Sequence, residues 1–426
     1  MIKTIRLPNG MEVIAAPIAG AKTTAVLAMF ATGSKFENKK NSGVSHFLEH
    51  MFFKGTVKRP NTLAIASELD GAGGEFNAFT GKEYTGYFVK VESSRIELAM
   101  DVLSDMLGNS KFEPEEIERE KNVIIEELNM YIDNPIMHIE DLFEQRLYGD
   151  TPAGRDTIGD KKSIAGIARR DLLDYYNSQY SSDKAVVCLA GQAGAEEIEM
   201  AKKYFQPFGK KNYSDKKITD DSQSRAKAIL HFKKTDQAHL SLGVRAFRFA
   251  EKDEIAAKIV SVILGGAMSS RLFTELRERR GLAYYVRTHS EPYSDSGYLT
   301  TQAGVPIEKL PQAIRIILDE YKRISEKSVS EEELNRVKQC VIGRSAISLE
   351  SSDSLASWYG RQAILFKQQK TKNKLLTPEE YYGIVKKISS EDIRRAAKEI
   401  FIEKKLNLAV IGPYKNKEKF EKMLSL

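Results

Sequence analysis

The sequence predicts an α+β chain, an α/β sandwich of two homologous domains, each a mostly antiparallel sheet with helices packed on it. Three observations carry this. Short apolar runs alternate with amphipathic stretches along the whole chain. The same residue markers recur in the same order in both halves. Between the halves lies a polar stretch, Gln206 to Ala226, rich in Lys, Asp and Ser and without apolar periodicity.

Taken in order, Thr24 to Ala31 reads as a buried strand and Ser42 to Phe53 as a helix. Tyr84 to Val91 is a second strand, followed by a helix from Arg95 to Leu107. Glu113 to Met130 has the length and pattern of a long helix, and Lys184 to Ala190 closes the half as a strand. The second half repeats the markers. Gly86-Tyr87 is followed ten residues later by Ile96-Glu97, and Gly297-Tyr298 ten residues later by Ile307-Glu308. Ile167 precedes Asp171 and Gly191 by the same intervals at which Ile388 precedes Asp392 and Gly412. An ancient duplication of roughly 200 residues accounts for this. The domains are therefore placed at 1–210 and 226–426, with 211–225 as linker.

The 426 residues are too many for one ordinary core. A net charge of +6 is small for this length, and no basic stripe interleaved with aromatics appears, so a nucleic-acid partner is not expected. The segment Thr24 to Thr32 is too short to span a membrane, and the N-terminus, with Pro8, Asn9 and Gly10 ahead of any apolar run, makes a poor signal peptide. A cytoplasmic location is expected. Cys188 and Cys340 lie in apolar runs without metal-ligand spacing, which predicts buried free thiols.

The chemistry concentrates at His46-Phe47-Leu48-Glu49-His50. On a helix, positions i, i+3 and i+4 share one face, so both imidazoles can aim at a single ion with Glu49 beside them. Two neutral imidazoles suit zinc, which in a catalytic site takes a third protein ligand and leaves one position open for water. The ion lowers the pKa of that water, and a neighbouring carboxylate removes its proton and passes it to the departing amine. The third ligand must come from elsewhere. The helix Glu113 to Met130 offers Glu118, Glu120, Glu126 and Glu127, and spacing alone does not choose among them.

HxxEH is the inverted zincin order, and over most of its length the chain resembles the M16 metallopeptidases, the pitrilysin family that includes insulin-degrading enzymes and mitochondrial processing peptidases. The strongest matches run from Gly43 to Thr56, from Gly73 to Thr80 and from Glu118 to Glu127. The resemblance implies a single Zn2+ per chain, held by His46, His50 and Glu127, since the family's third ligand stands seventy-six or seventy-seven residues beyond the second histidine. It implies that Glu120, seven residues earlier, supports the site from behind a ligating imidazole. It makes Asn77, Ala78 and Phe79 part of an edge strand to which an extended peptide adds. It also casts Arg277 and Tyr284, seven apart after Ser269-Ser270-Arg271, as the pair that holds the substrate backbone and stabilises the tetrahedral oxyanion.

The second half has no HxxEH, and the window Lys338 to Ser348, where the counterpart of Glu127 would fall, holds no Asp, Glu or His. The resemblance then implies an active and an inactive half enclosing a chamber. The expected function is a zinc-dependent endopeptidase acting on short or unfolded peptides, with Glu49 as general base. Since one chain carries both motifs, a homodimer is expected, with Arg277 and Tyr284 serving the partner's zinc site. The alternatives are a non-catalytic core or assembly subunit, or a processing-peptidase subunit that needs a different partner chain.

Overall fold

Runs that are apolar at every position become strands covered on both faces. In the computed structural model, which describes residues 2–426, the first sheet holds β1 (Lys3–Arg6), β2 (Glu12–Pro17), β3 (Thr23–Phe30), β4 (Glu75–Thr80), β5 (Thr85–Glu92) and β6 (Ala185–Gly191). Their order is β1-β2-β6-β3-β5-β4, with β2 and β6 parallel and every other pair antiparallel. The second sheet holds β7 (Lys227–Phe232), β8 (Gln237–Arg245), β9 (Tyr285–Pro292), β10 (Gly297–Pro306) and β11 (Leu406–Gly412). Its order is β7-β11-β8-β10-β9, with β7 and β11 parallel.

Set side by side, the sheets share one topology. The parallel pair β2/β6 corresponds to β7/β11, the central β3 to β8, and the edge β4 to β9; β1 is an addition at one edge of the first sheet. The sequence markers fall on equivalent elements. Gly86-Tyr87 lies in β5 and Gly297-Tyr298 in β10, while Gly191 and Gly412 end β6 and β11. The predicted α+β class and duplication describe this architecture.

Residue contacts group the chain into two units, each discontinuous in sequence. One comprises Met1–Asn129, Asp156–Lys217 and Ile347–Leu376; the other comprises Met130–Arg155, Ile218–Ala346 and Thr377–Leu426. No helix or strand occurs from 208 to 226. In the first unit Ala25, Leu27 and Met29 of β3, with Ile14, Ala16 and Cys188, pack against Leu355, Ala356, Tyr359, Ala363 and Ile364 of the helix Ser352–Gln369. The alternate β3 residues face the other way, where Phe30 meets Tyr87 and Tyr180. In the second unit the helix Pro135–Tyr148 lays Ile139, Phe143 and Leu147 on Tyr298, Ala409 and Ile411. Each unit thus completes its core with a helix from the far half of the sequence.

Gly360 makes the first of these dockings possible, because a Cβ there would lie 2.5 Å from Met29 Sδ and 3.3 Å from Cys188 Sγ. Gly360→Val is expected to lower unfolding stability by about 1–3 kcal/mol through overpacking. Denaturant titration checks this, and an unchanged midpoint would show that the interface has slack. Cys188 is buried as expected, and its thiol is pushed far up by burial. Cys340 differs from expectation: its helix, Glu331–Leu349, leaves it half-exposed, because apolar neighbours in sequence do not share a helix face. Among the described residues no helix is long and apolar enough to cross a membrane.

Candidate metal centre

The HxxEH residues lie on the helix Val44–Met51. Its chain entry is set by Gly43, at φ +91°, where a Cβ would stand 2.2 Å from the carbonyl oxygen of Ile158. Only glycine fits this left-handed, crowded position. Phe47, Leu48 and Met51 are fully buried, leaving His46, Glu49 and His50 on the opposite stripe. The turn beyond the helix is tied down by buried Arg59, which donates to Glu68, Asp101 and Asp105 at 2.7, 2.6 and 2.9 Å.

The helix Pro114–Asp133 supplies the carboxylates. Glu120 and Glu127 are seven residues apart, two turns, and so share a face. Glu127 Oε2 lies 3.4 Å from His50 Nε2 and 3.7 Å from His46 Nε2. One ligand atom from each of His46, His50 and Glu127 falls within 4.8 Å of the others. Glu120 Oε1 meets His50 Nδ1 at 2.8 Å, and its other oxygen takes Lys54 Nζ at 2.6 Å. The alternatives that spacing left open turn elsewhere: Glu126 is exposed and accepts from Asn129, and Glu118 pairs with Lys121.

The electrostatics suit a cation. Burial, with the charge of His50, lowers the His46 pKa and favours a neutral imidazole there. Burial also opposes protonation of His50, but the carboxylates of Glu120 and Glu127 outweigh it and push His50 up to about 9. The His50 hydrogen bond holds Glu127 below the usual carboxylate range; in Glu120 the His50 and Lys54 bonds overcome burial to the same effect. Positive charge is therefore favoured between these groups. Two imidazole nitrogens and one carboxylate oxygen form a donor set that zinc accepts, and the other ring nitrogen of His46, Nδ1, is buried without a hydrogen-bond partner. Glu49 carries a raised pKa, chiefly from burial, and accepts a hydrogen bond from Thr80 Oγ1.

Thr80 is the site residue that motif reading missed. It ends β4, where Phe76 and Thr80 share a face by strand alternation. Phe76 stacks on Phe53 just past the zinc-motif helix, and Thr80 reaches Glu49. The period-two spacing from Phe76 was the available signal. β4 is an edge strand, hydrogen-bonded to β5 alone. Of the expected peptide-edge residues, Asn77 is exposed and its side chain accepts from Ala78 N–H at 2.8 Å, whereas Phe79 packs against Tyr84 and the core beneath Ser352–Gln369.

Arg277 and Tyr284 belong to the second unit. Arg277 lies in a π-helical turn, Phe273–Glu278, and its Nη1 donates to the Tyr284 carbonyl oxygen at 2.8 Å. Its guanidinium stands 5.7 Å from the Tyr284 ring centre, and that tyrosine is 75% exposed. The pair is thus held together with both polar groups open to solvent.

An HxxEH helix facing a glutamate on a second helix is the inverted zincin arrangement. The chain belongs to the insulinase family, peptidase family M16. Residues 13–161 match that family's profile, and residues 166–340 match the profile described as the peptidase M16 inactive domain. An uncharacterized zinc protease of Bacillus subtilis is 32% identical over 98% of this chain and 99% of its own length. A crystal structure of a protease from Helicobacter pylori has a TM-score of 0.87 at 23% identity, covering 97% of this chain and 99% of that one. A Pseudomonas fluorescens structure described as a peptidase M16 inactive domain reaches 0.88 at 21% identity, covering 98% and 99%. At these identities the structures speak to the fold alone.

Proposed function

We propose that this protein is a zinc-dependent endopeptidase, active in the cytoplasm on short or unfolded peptides. The observation that carries the reading is the convergence of His46, His50 and Glu127 with Glu49 beside them and Glu120 behind. His46, His50 and Glu127 would hold a zinc ion, which when bound would supply the positive charge that polarises a carbonyl and acidifies a water. Glu49 takes the proton of the attacking water and delivers it to the leaving amine. Its buried carboxyl, with a raised pKa, is a stronger base than a solvated one, and Thr80 holds it in place. Glu120 fixes the His50 ring through Nδ1. The free edge of β4 takes the substrate backbone as an added strand, which gives affinity with little side-chain selectivity. Arg277 and Tyr284 donate to the carbonyl oxygen as it gains charge.

The test is metal content together with cleavage of an unstructured peptide. One zinc per chain and a chelator-sensitive activity restored by zinc support the reading; a protein that binds no zinc, or cleaves equally well without it, overturns it. The intact set of His46, Glu49, His50 and Glu127 weighs against a purely architectural subunit. The proposal includes a homodimer in which Arg277 and Tyr284 of one protomer act at the zinc site of its partner. Activity is then expected to fall on dilution as the sedimentation coefficient drops to that of a monomer, and a fully active monomer at all concentrations refutes the shared site.

A further inference from the structure

The helix that carries both histidines spans only eight residues, Val44–Met51. So short a helix has little stability of its own, and its direction depends on what holds its ends. Its first turn is held by a side chain from outside it. Glu37 is 5% exposed, and its two carboxylate oxygens accept from the backbone N–H groups of Gly43 at 2.7 Å and Ser45 at 2.8 Å. Both donors are free of the helix ladder, and a negative charge here also suits the positive end of the helix. The neighbouring Ser45 hydroxyl donates to Tyr175, which donates to the Gly33 carbonyl oxygen at 3.1 Å and contacts Thr32 Oγ1 at 2.7 Å. Ser45 N–H is thus clamped immediately before His46.

Burying this carboxyl is costly. Desolvation pushes its pKa up to about 7, against the opposing pull of Ser45, Gly43 and Lys82. A neutral cap on Gly43 and Ser45 would avoid that cost, but no single neutral side chain offers two acceptors at this spacing.

We infer that Glu37 is a positioning residue for the metal centre: its bidentate grip on Gly43 and Ser45 sets the angle from which His46 and His50 approach the ion. This rests on the zinc-peptidase reading, and it concerns a residue that touches neither metal nor substrate. Glu37→Gln keeps the shape but replaces one acceptor with an NH2 group that confronts an N–H.

The measurement is zinc affinity of the full chain by competition with a chromophoric chelator, with the visible spectrum of the cobalt-substituted protein as a second readout. The expected result for E37Q is zinc binding weakened by about tenfold or more, the size seen when an outer support of a metal ligand is removed. The cobalt bands should also shift. Glu37→Asp, whose shorter arm keeps one bond, should fall between wild type and E37Q, and it serves alone if E37Q does not fold. Asn61→Ala is the control. It removes the cap of the adjoining helix Thr62–Gly71, where Asn61 accepts from Ala64 N–H at 2.9 Å, and it should lower Tm without changing zinc affinity. Equal zinc affinity in wild type, E37D and E37Q overturns the inference. So does an equal loss in N61A, which would mark general destabilisation. A wild-type chain that binds no zinc instead overturns the peptidase reading itself.

Discussion

Glu49→Gln is expected to abolish peptide cleavage while leaving zinc bound. The substitution preserves shape, and the amide oxygen still accepts the hydroxyl of Thr80 that holds Glu49 in place. What disappears is the capacity to take a proton. Positioned acid–base groups contribute typically ~10²–10⁴-fold, and here one carboxylate serves both water and leaving amine, so kcat should fall by about 10³-fold or more. That corresponds to about 4 kcal/mol of barrier. Zinc content should not change, because the three converging ligand atoms belong to His46, His50 and Glu127. KM should change little, since the strand edge that takes the peptide backbone is untouched. Activity within tenfold of wild type would place the base elsewhere. Loss of the metal would make Glu49 a structural part of the ion site.

Much of this site is legible in the sequence because helical geometry is local. The i, i+3, i+4 relation of His46, Glu49 and His50 needs no tertiary information, whereas the choice of Glu127 and Glu120 among the carboxylates of their helix came from the family resemblance and not from spacing. The duplication was legible for a similar reason, since Gly86-Tyr87 and Gly297-Tyr298 mark the same strand of two sheets that share one strand order apart from the added β1. Contacts between distant segments were another matter. Thr80 meets Glu49 across thirty-one residues, and the period-two spacing from Phe76 gives its face of the strand but not its partner. No motif singles out Glu37, and only the fold shows its carboxylate buried against Gly43 and Ser45.

The helices Pro135–Tyr148 and Ser352–Gln369 show the same limit at larger scale. Each has an apolar face, which predicts burial but does not say under which sheet. A contiguous domain reading follows naturally when each half is taken as self-contained. The first sheet nevertheless receives Leu355, Tyr359 and Ile364, and the small Gly360 fits against Met29 and Cys188. Docking of this kind is encoded in shape complementarity between segments far apart in the sequence, which periodicity does not report.

Glu127→Gln and Glu126→Gln form a pair whose outcomes should differ by orders of magnitude although the residues are neighbours. One residue along an α-helix is a rotation of about 100°. Glu127 therefore faces the histidines, with Oε2 at 3.4 and 3.7 Å from their Nε2 atoms, while Glu126 points to solvent and accepts from Asn129. Glu127→Gln replaces a charged ligand with a neutral amide and removes one of the two carboxylates that favour positive charge beside His50. Zinc binding should weaken by about 100-fold or more, since the charged donor completes the three-ligand site, and cleavage at low zinc should be lost. Glu126→Gln should leave zinc affinity and turnover within about twofold, because a solvated surface charge contributes little. Chelator competition on both variants reads the difference directly. Zinc retained in Glu127→Gln and lost in Glu126→Gln would mean that the helix is rotated by one residue in the metal-bound protein. Glu120, which shares its face with Glu127, would then have to leave His50 as well, so a matched loss on Glu120→Gln would follow only if the present register holds.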